Sequence, residues 1–225
     1  MFKKIGRSFI AFSEASNELL GRSGIFFKEL HEERDFVLLQ TLFENADGVK
    51  LPTSYLRNGK AFVCYDKSLV PQGGFALIEK GPFRSISQIP EAGVLPLDGL
   101  FCELTAVCFN RGGSLRRSRF WSFVVGTALS CPAHNIVYAV DTRKTALREQ
   151  VFNHIKSNTI YEGPVKILEG MNEATTEAIE ISNKAQLTRG FLKLALRESR
   201  NLSFSSIIQQ TFALSTNSIV NPKFR

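Results

Sequence analysis

The sequence predicts a mixed α/β (α+β) domain, a central sheet flanked by helices, and three observations carry that reading. Between Leu100 and Leu129 the chain runs LFCELTAVCF, then NRGGSLRRSR, then FWSFVVGTAL: an apolar strand, a glycine and arginine turn, and an amphipathic helix. A second strand and helix follow at once, and a strand, helix, strand order requires a right-handed crossover with parallel pairing somewhere in the sheet. The length of 225 residues and a hydrophobic content of 44% are enough to bury one core.

Taken in order, residues 13–23 form a short helical candidate. Lys28 to Phe43 is a better one, with Leu30, Phe36, Val37, Leu39 and Phe43 near helical spacing and Glu29, Glu32 and Glu33 near its start. Asn45 to Gly59 holds Asp47-Gly48, Pro52 and Asn58-Gly59 and reads as loop. Lys60 to Tyr65 and Gly73 to Glu79 read as two strands of a hairpin around a turn at Asp66 to Gln72. Lys80 to Gly99, with Pro82, Pro90 and Pro96, is a long irregular excursion of the kind that lines binding sites. Asn135 to Val140 is a buried strand. Asp141 or Thr142 caps a helix through about Ser157, with Leu147, Val151 and Ile155 on one side. Thr159 to Leu168 reads as a strand broken at Gly163-Pro164, Glu177 to Ile181 as a short strand, and Lys184 to Arg200 as a basic amphipathic helix. Residues 201–225 are a tail of unassigned role.

The balance of 28 Lys and Arg against 21 Asp and Glu gives a net charge of +7, which suits an acidic partner: a phosphorylated cosubstrate, an acidic acyl-carrier protein or nucleic acid. Cys64, Cys102, Cys108 and Cys131 are scattered in apolar surroundings with no Cys-x-x-Cys pair, the pattern of buried reduced thiols. His31, His134 and His154 stand apart at no metal-ligand spacing, so no metal site is expected. The first twelve residues are too short in apolar content for a signal peptide, and no uninterrupted apolar run approaches the ~18 residues of a membrane span. A cytoplasmic location is the default expectation.

The turn after Phe109 is the leading candidate site. A strand that empties through glycines into a helix leaves unpaired backbone N–H groups where an anion can sit. Arg111, Arg116, Arg117 and Arg119 place four positive charges there, where cations at a helix start otherwise oppose its dipole. Glu103, in the strand that leads into the turn, is a candidate proton acceptor. Strand alternation assigns Glu103, Thr105 and Val107 to one face and Cys102, Leu104, Ala106 and Cys108 to the other, so that Glu103 also reads as a solvent-facing strand residue. The run Arg119-Phe120-Trp121 offers a second function, stacking on nucleic-acid bases, although these aromatics also fit a helix core.

The order helix, hairpin, long strand, turn, helix, strand, helix, strand resembles that of the GNAT acyltransferase superfamily. GGFALIEKGPFRSISQIPEAG followed by LFCELTAVCF looks like the hairpin strand, proline-rich excursion and Glu-Leu-Ser/Thr strand of acyl-homoserine lactone synthases and N-acyl amino acid synthases. Ala106, and Ala76 or Leu77, stand where the lactone synthases carry arginines, so the resemblance implies the broader acyltransferase frame. It implies a single GNAT-like domain over residues 1–200 that transfers an acyl group from acyl-CoA or an acyl-carrier protein to an amine. Glu103 would then be the base, with Tyr138 or Tyr161 as the acid that reprotonates the thiolate. Backbone N–H groups of Ala106, Val107 and Cys108 would meet the pantetheine arm, and Arg111, Gly112, Gly113, Ser114, Arg116, Arg117 and Arg119 would hold the phosphates. The alternative is a catalytically silent module of the same fold that binds nucleic acid or protein through its basic loop and C-terminal helix.

Overall fold

A computed structural model describes residues 24–87, 101–110, 114–143, 149, 155, 157–164 and 176–199. Seven strands form one sheet: β1 (Ile25–Glu29), β2 (Gly59–Asp66), β3 (Pro71–Ile78), β4 (Phe101–Phe109), β5 (Asn135–Asp141), β6 (Asn158–Pro164) and β7 (Thr176–Asn183), in the spatial order β1-β2-β3-β4-β5-β7-β6. Among the described residues the helices are α1 (Glu33–Asp47), α2 (Thr53–Leu56), α3 (Arg84–Ser87), α4 (Ser114–Ser130) and α5 (Lys184–Ser199). Every neighbouring pair of strands is antiparallel except β4 and β5, which are parallel. The parallel pair expected from the strand, helix, strand order is therefore at the centre of the sheet, where both faces are covered.

Alternating residues of β1 to β5 feed two cores. Phe27, Phe62, Cys64, Phe75, Leu77, Cys102, Leu104, Ile136 and Tyr138 face α4 and α5, whereas Ala61, Val63, Ala76 and Ile78 face α1 and α2. The first core is built on phenylalanine: Phe123 of α4 stacks on Phe27 at 3.9 Å between centroids and meets Phe62 edge-on at 5.2 Å. α5 lies on α4 through Leu187 and Leu194, both fully buried, and Lys184 Nζ donates to the carbonyls of Leu129 (2.6 Å) and Cys131 at the end of α4. These are carbonyls that the helix itself cannot satisfy. All four cysteines are buried, and none is in a disulfide. Among the described residues no helix is long and apolar enough to cross a membrane.

The structure differs from the sequence reading in several elements. Lys28 lies in β1, not in a helix, paired opposite Val63, and its ammonium reaches Asp35 at 2.8 Å. The helix begins only at Glu33 and stops where Gly48 adopts φ 79°, its N–H bonded to Glu44 O. Asn45–Gly59 and the start of the 80–99 excursion each contain a four-residue helix, α2 and α3. Gly163 and Pro164 are the last two residues of β6, paired with Glu177 and Thr176 of β7. The helical candidate at 13–23, most of the helix to Ser157, the excursion beyond Ser87, the strand beyond Pro164 and the tail from 201 lie outside the described residues.

Candidate active site

β4 and β5 are hydrogen-bonded neighbours for only three residue pairs, Phe101 with Asn135, Cys102 with Ile136, and Glu103 with Val137. Beyond Glu103, β4 continues beside β3 as far as Phe109 opposite Gly73, while β5 continues beside β7 as far as Asp141 opposite Glu177. The two central strands therefore part at their C-terminal ends, each keeping its outer partner. In open α/β sheets ligands bind outside the carboxyl ends of the strands, where this opening lies.

The side of the opening formed by β4 is irregular. Ala106 and Val107 together oppose Phe75 of β3, because Cys108 pairs with Gly74 while Thr105 pairs with Ala76. The extra residue is a β-bulge, which leaves a peptide unit outside the regular ladder and re-aims the side chains beyond it. Ala106 carries the strain with φ 52°, a left-handed conformation that costs a residue with a Cβ on the order of 1 kcal/mol. Across from it, Gly73 is required: a Cβ there would sit 2.1 Å from Cys108 O. The bulge corrects the simple alternation. Ala106 and Cys108 turn toward α1, joining the face of Glu103, while Val107 and Phe109 turn toward α4.

Glu103 is 2% exposed and so is not a solvent-facing strand residue. Its Oε2 accepts the Ser85 N–H at 3.2 Å, and the Tyr55 phenol, whose Oη accepts the neighbouring Arg84 N–H at 3.0 Å, lies beside the same carboxyl. Desolvation is the largest influence on it and pushes its pKa up to about 7, against the opposing effects of the Tyr55 and Ser85 hydrogen bonds and the nearby Arg84 charge. A carboxyl group that is half ionised near neutral pH can accept a proton and give it back. Ser85 Oγ, itself buried beside this carboxyl, has no hydrogen-bond partner of ordinary geometry. Tyr55, Arg84 and Ser85 were hidden from sequence reading because they fall in the two segments that lacked periodicity. They reach Glu103 through contacts across 48, 19 and 18 positions, and the only sequence signal was the placement of Arg84 and Ser85 in the excursion marked as a wall.

The other candidates are distributed as follows. Tyr138 is the first residue of β5 beyond its last pair with β4, and its side chain is buried on the α4 face, opposite that of Glu103, hydrogen-bonded to Ser157 Oγ. Tyr161 packs with Val137, Ile179 and Ile86, and its hydroxyl donates to Pro164 O at 2.7 Å. The structure brings neither phenol to the Glu103 carboxylate. Arg117 is half-buried and Arg119 buried near the start of α4, the helix that opens at Ser114, five positions after β4 ends. Arg111, Gly112 and Gly113, with the side chains of Ser114 and Arg116, lie outside the described residues. Phe120 and Trp121 are 0% and 2% exposed and fill the core, so they offer no surface for stacking on bases.

No protein-family model matches this sequence, and no curated protein matches it either. Solved structures do share its architecture. FeeM, an N-acyl amino acid synthase from uncultured soil microbes, superposes with a TM-score of 0.54 at 10% identity over 75% of this chain and 96% of its own. The spermidine N-acetyltransferase of Vibrio cholerae gives a TM-score of 0.51 at 11% identity over 74% of this chain and 99% of its own. A phosphinothricin N-acetyltransferase gives 0.51 at 9% identity over 71% and 98%. On this evidence the chain has the GNAT fold, a single mixed seven-stranded sheet flanked by helices.

Proposed function

We propose that this protein is an N-acyltransferase that moves an acyl group from a CoA or carrier-protein thioester to a small amine. The observation that carries the reading is the parting of β4 and β5 immediately beyond a buried carboxyl group with a pKa near neutrality. The fold is also that of proteins named for acyl transfer to amines, and the Vibrio cholerae neighbour was solved with CoA and spermine.

A thioester is already activated, so the protein has to align it with the amine, remove a proton and stabilise the oxyanion. Glu103 takes the proton, directly or through one water, as the amine nitrogen attacks the thioester carbonyl. The carbon–sulfur bond then breaks and the thiolate leaves with a proton from an acid. Tyr138 is our candidate for that acid, since it is the first residue of β5 past the paired stretch, and Tyr161 serves as wall. The bulge at Ala106 to Cys108 supplies backbone N–H groups to the pantetheine arm and the developing oxyanion. Arg111, Gly112, Gly113, Ser114, Arg116, Arg117 and Arg119 hold the phosphates at the start of α4.

The test is thiol release from a series of acyl-CoA and acyl-carrier substrates in the presence of primary amines, amino acids and polyamines. Transfer is expected with at least one pair, and Glu103→Gln lowers kcat/KM by roughly a hundredfold or more, the usual worth of a general base. The double change Arg116→Ala with Arg117→Ala weakens CoA binding. No thiol release above background together with no CoA binding would overturn the proposal.

A further inference from the structure

We propose that Tyr55 is the positioning residue of this site, its hydroxyl fixed by the Arg84 N–H so that its proton is delivered to the Glu103 carboxylate. The proposal rests on Glu103 being the base of the reaction above, and it adds a residue from outside the central strands. Tyr55 stands on α2, a single helical turn that follows Pro52, in which Tyr55 N donates to Pro52 O at 3.0 Å. The next residue, Leu56, is fully buried and anchors the turn against the α1 face of the sheet. Tyr55 Oη accepts the backbone N–H of Arg84 at 3.0 Å. With that lone pair engaged, the phenolic hydrogen is left to point at the carboxylate, and the next N–H along, that of Ser85, binds Oε2. The segment at α3 therefore orients donor and acceptor together.

The arrangement asks for a hydroxyl, not for an aromatic ring alone. Phenylalanine would fill the same space in the apolar cluster of Leu51, Leu56 and Phe83 but would leave both the Arg84 N–H and one carboxylate lone pair unmatched. Among the described residues the groups that face Glu103 are few. Tyr55 from α2 and Arg84 from α3 are the titratable or charged ones, and the paired neighbours on β3 and β5, Ile78 and Val137, are apolar. Burial and the Glu103 charge push the Tyr55 phenol well above its ordinary range, so it remains a donor throughout the working pH. A carboxylate offers about four lone-pair positions. One is taken by the Ser85 N–H, and a second is assigned to the Tyr55 hydroxyl.

The test is Tyr55→Phe, read on the ligand-free protein as the pH midpoint of the Glu103 carboxyl band by infrared difference against Glu103→Gln. Losing a donor to the ionised form raises the midpoint by roughly half to one pH unit, and the acidic limb of kcat/KM against pH moves up by the same amount. A packing role predicts a lower melting temperature and an unmoved midpoint, and that result overturns the proposal. Should Tyr55→Phe fail to fold, the same contact is read from the other side. In Glu103→Gln one tyrosine titrates at lower pH than in the wild type by phenolate absorbance, and superimposable curves overturn the proposal. A shifted midpoint in a protein that transfers no acyl group supports the contact and sinks the transferase reading alone.

Discussion

At the scale of single residues, Glu103 sets a pH dependence of stability opposite to that of most carboxylates. Its folded-state pKa, about 7, lies above the ordinary 4.5, so the folded protein binds the extra proton between those values. The contribution is complete below pH 4.5 and is lost as the pH rises through 7, amounting to on the order of 3 kcal/mol over the window. Denaturant titrations across this range should show wild type losing stability relative to Glu103→Gln, and parallel curves would contradict the burial that drives the shift. Ala106 makes a second demand on its position. Ala106→Val places a β-branched side chain at φ 52° in a packed site and should cost at least about 2 kcal/mol, measured as a fall in the urea midpoint. Glu103 was legible in the sequence as a carboxylate leading into the turn. Its burial was not, because period-two alternation describes a strand facing water on one side, whereas β4 is central and covered on both.

At the scale of elements, what periodicity could show was the framework. The hairpin β2–β3, strands β4 and β5 and helix α5 stand within a few residues of their sequence boundaries, whereas α4 opens at Ser114, six residues before the Phe120 at which the sequence pattern starts it. β1 escaped because five residues, IFFKE, run directly into a helix of matching apolar content, and pairing with β2 decides the matter. α2 and α3 are single turns stabilised by contacts distant in sequence, which leave no local period. The bulge in β4 escaped because alanine occupies the left-handed position that glycine would have advertised. Its counterpart Gly73 carries the element-level prediction. Gly73→Ala forces β3 away from the carbonyl of Cys108, and hydrogen exchange of the β3–β4 amides should rise while the rest of the sheet is protected as before. Unchanged exchange at those amides would show that the two strands tolerate the added methyl.

At the scale of the whole molecule, the order of elements identified the fold class where no sequence match did, since chirality and pairing rules leave few ways to fold one such succession. The seven-stranded sheet is continuous, yet its two halves meet over three residue pairs. A ligand seated between the halves would join them, and its affinity adds to the stability of the whole. CoA at about a hundred times its dissociation constant should raise the melting temperature by roughly 5 to 10 °C, with a logarithmic dependence on concentration thereafter. A flat thermal response would argue against a seat for the thioester in that opening.

The single supernumerary residue in β4 does not set the pairing of what lies downstream of it. Excising Ala106 or Val107 would restore strict pleating and leave Cys108 opposite Gly74 and Phe109 opposite Gly73. Phe109, whose ring lies 4.6 Å from that of Phe120, would keep its place beneath α4, and Cys108 its place toward α1. A chain shortened by that one amino acid would keep the joint between its central strand and its main helix and lose only the peptide unit that stands outside the ladder.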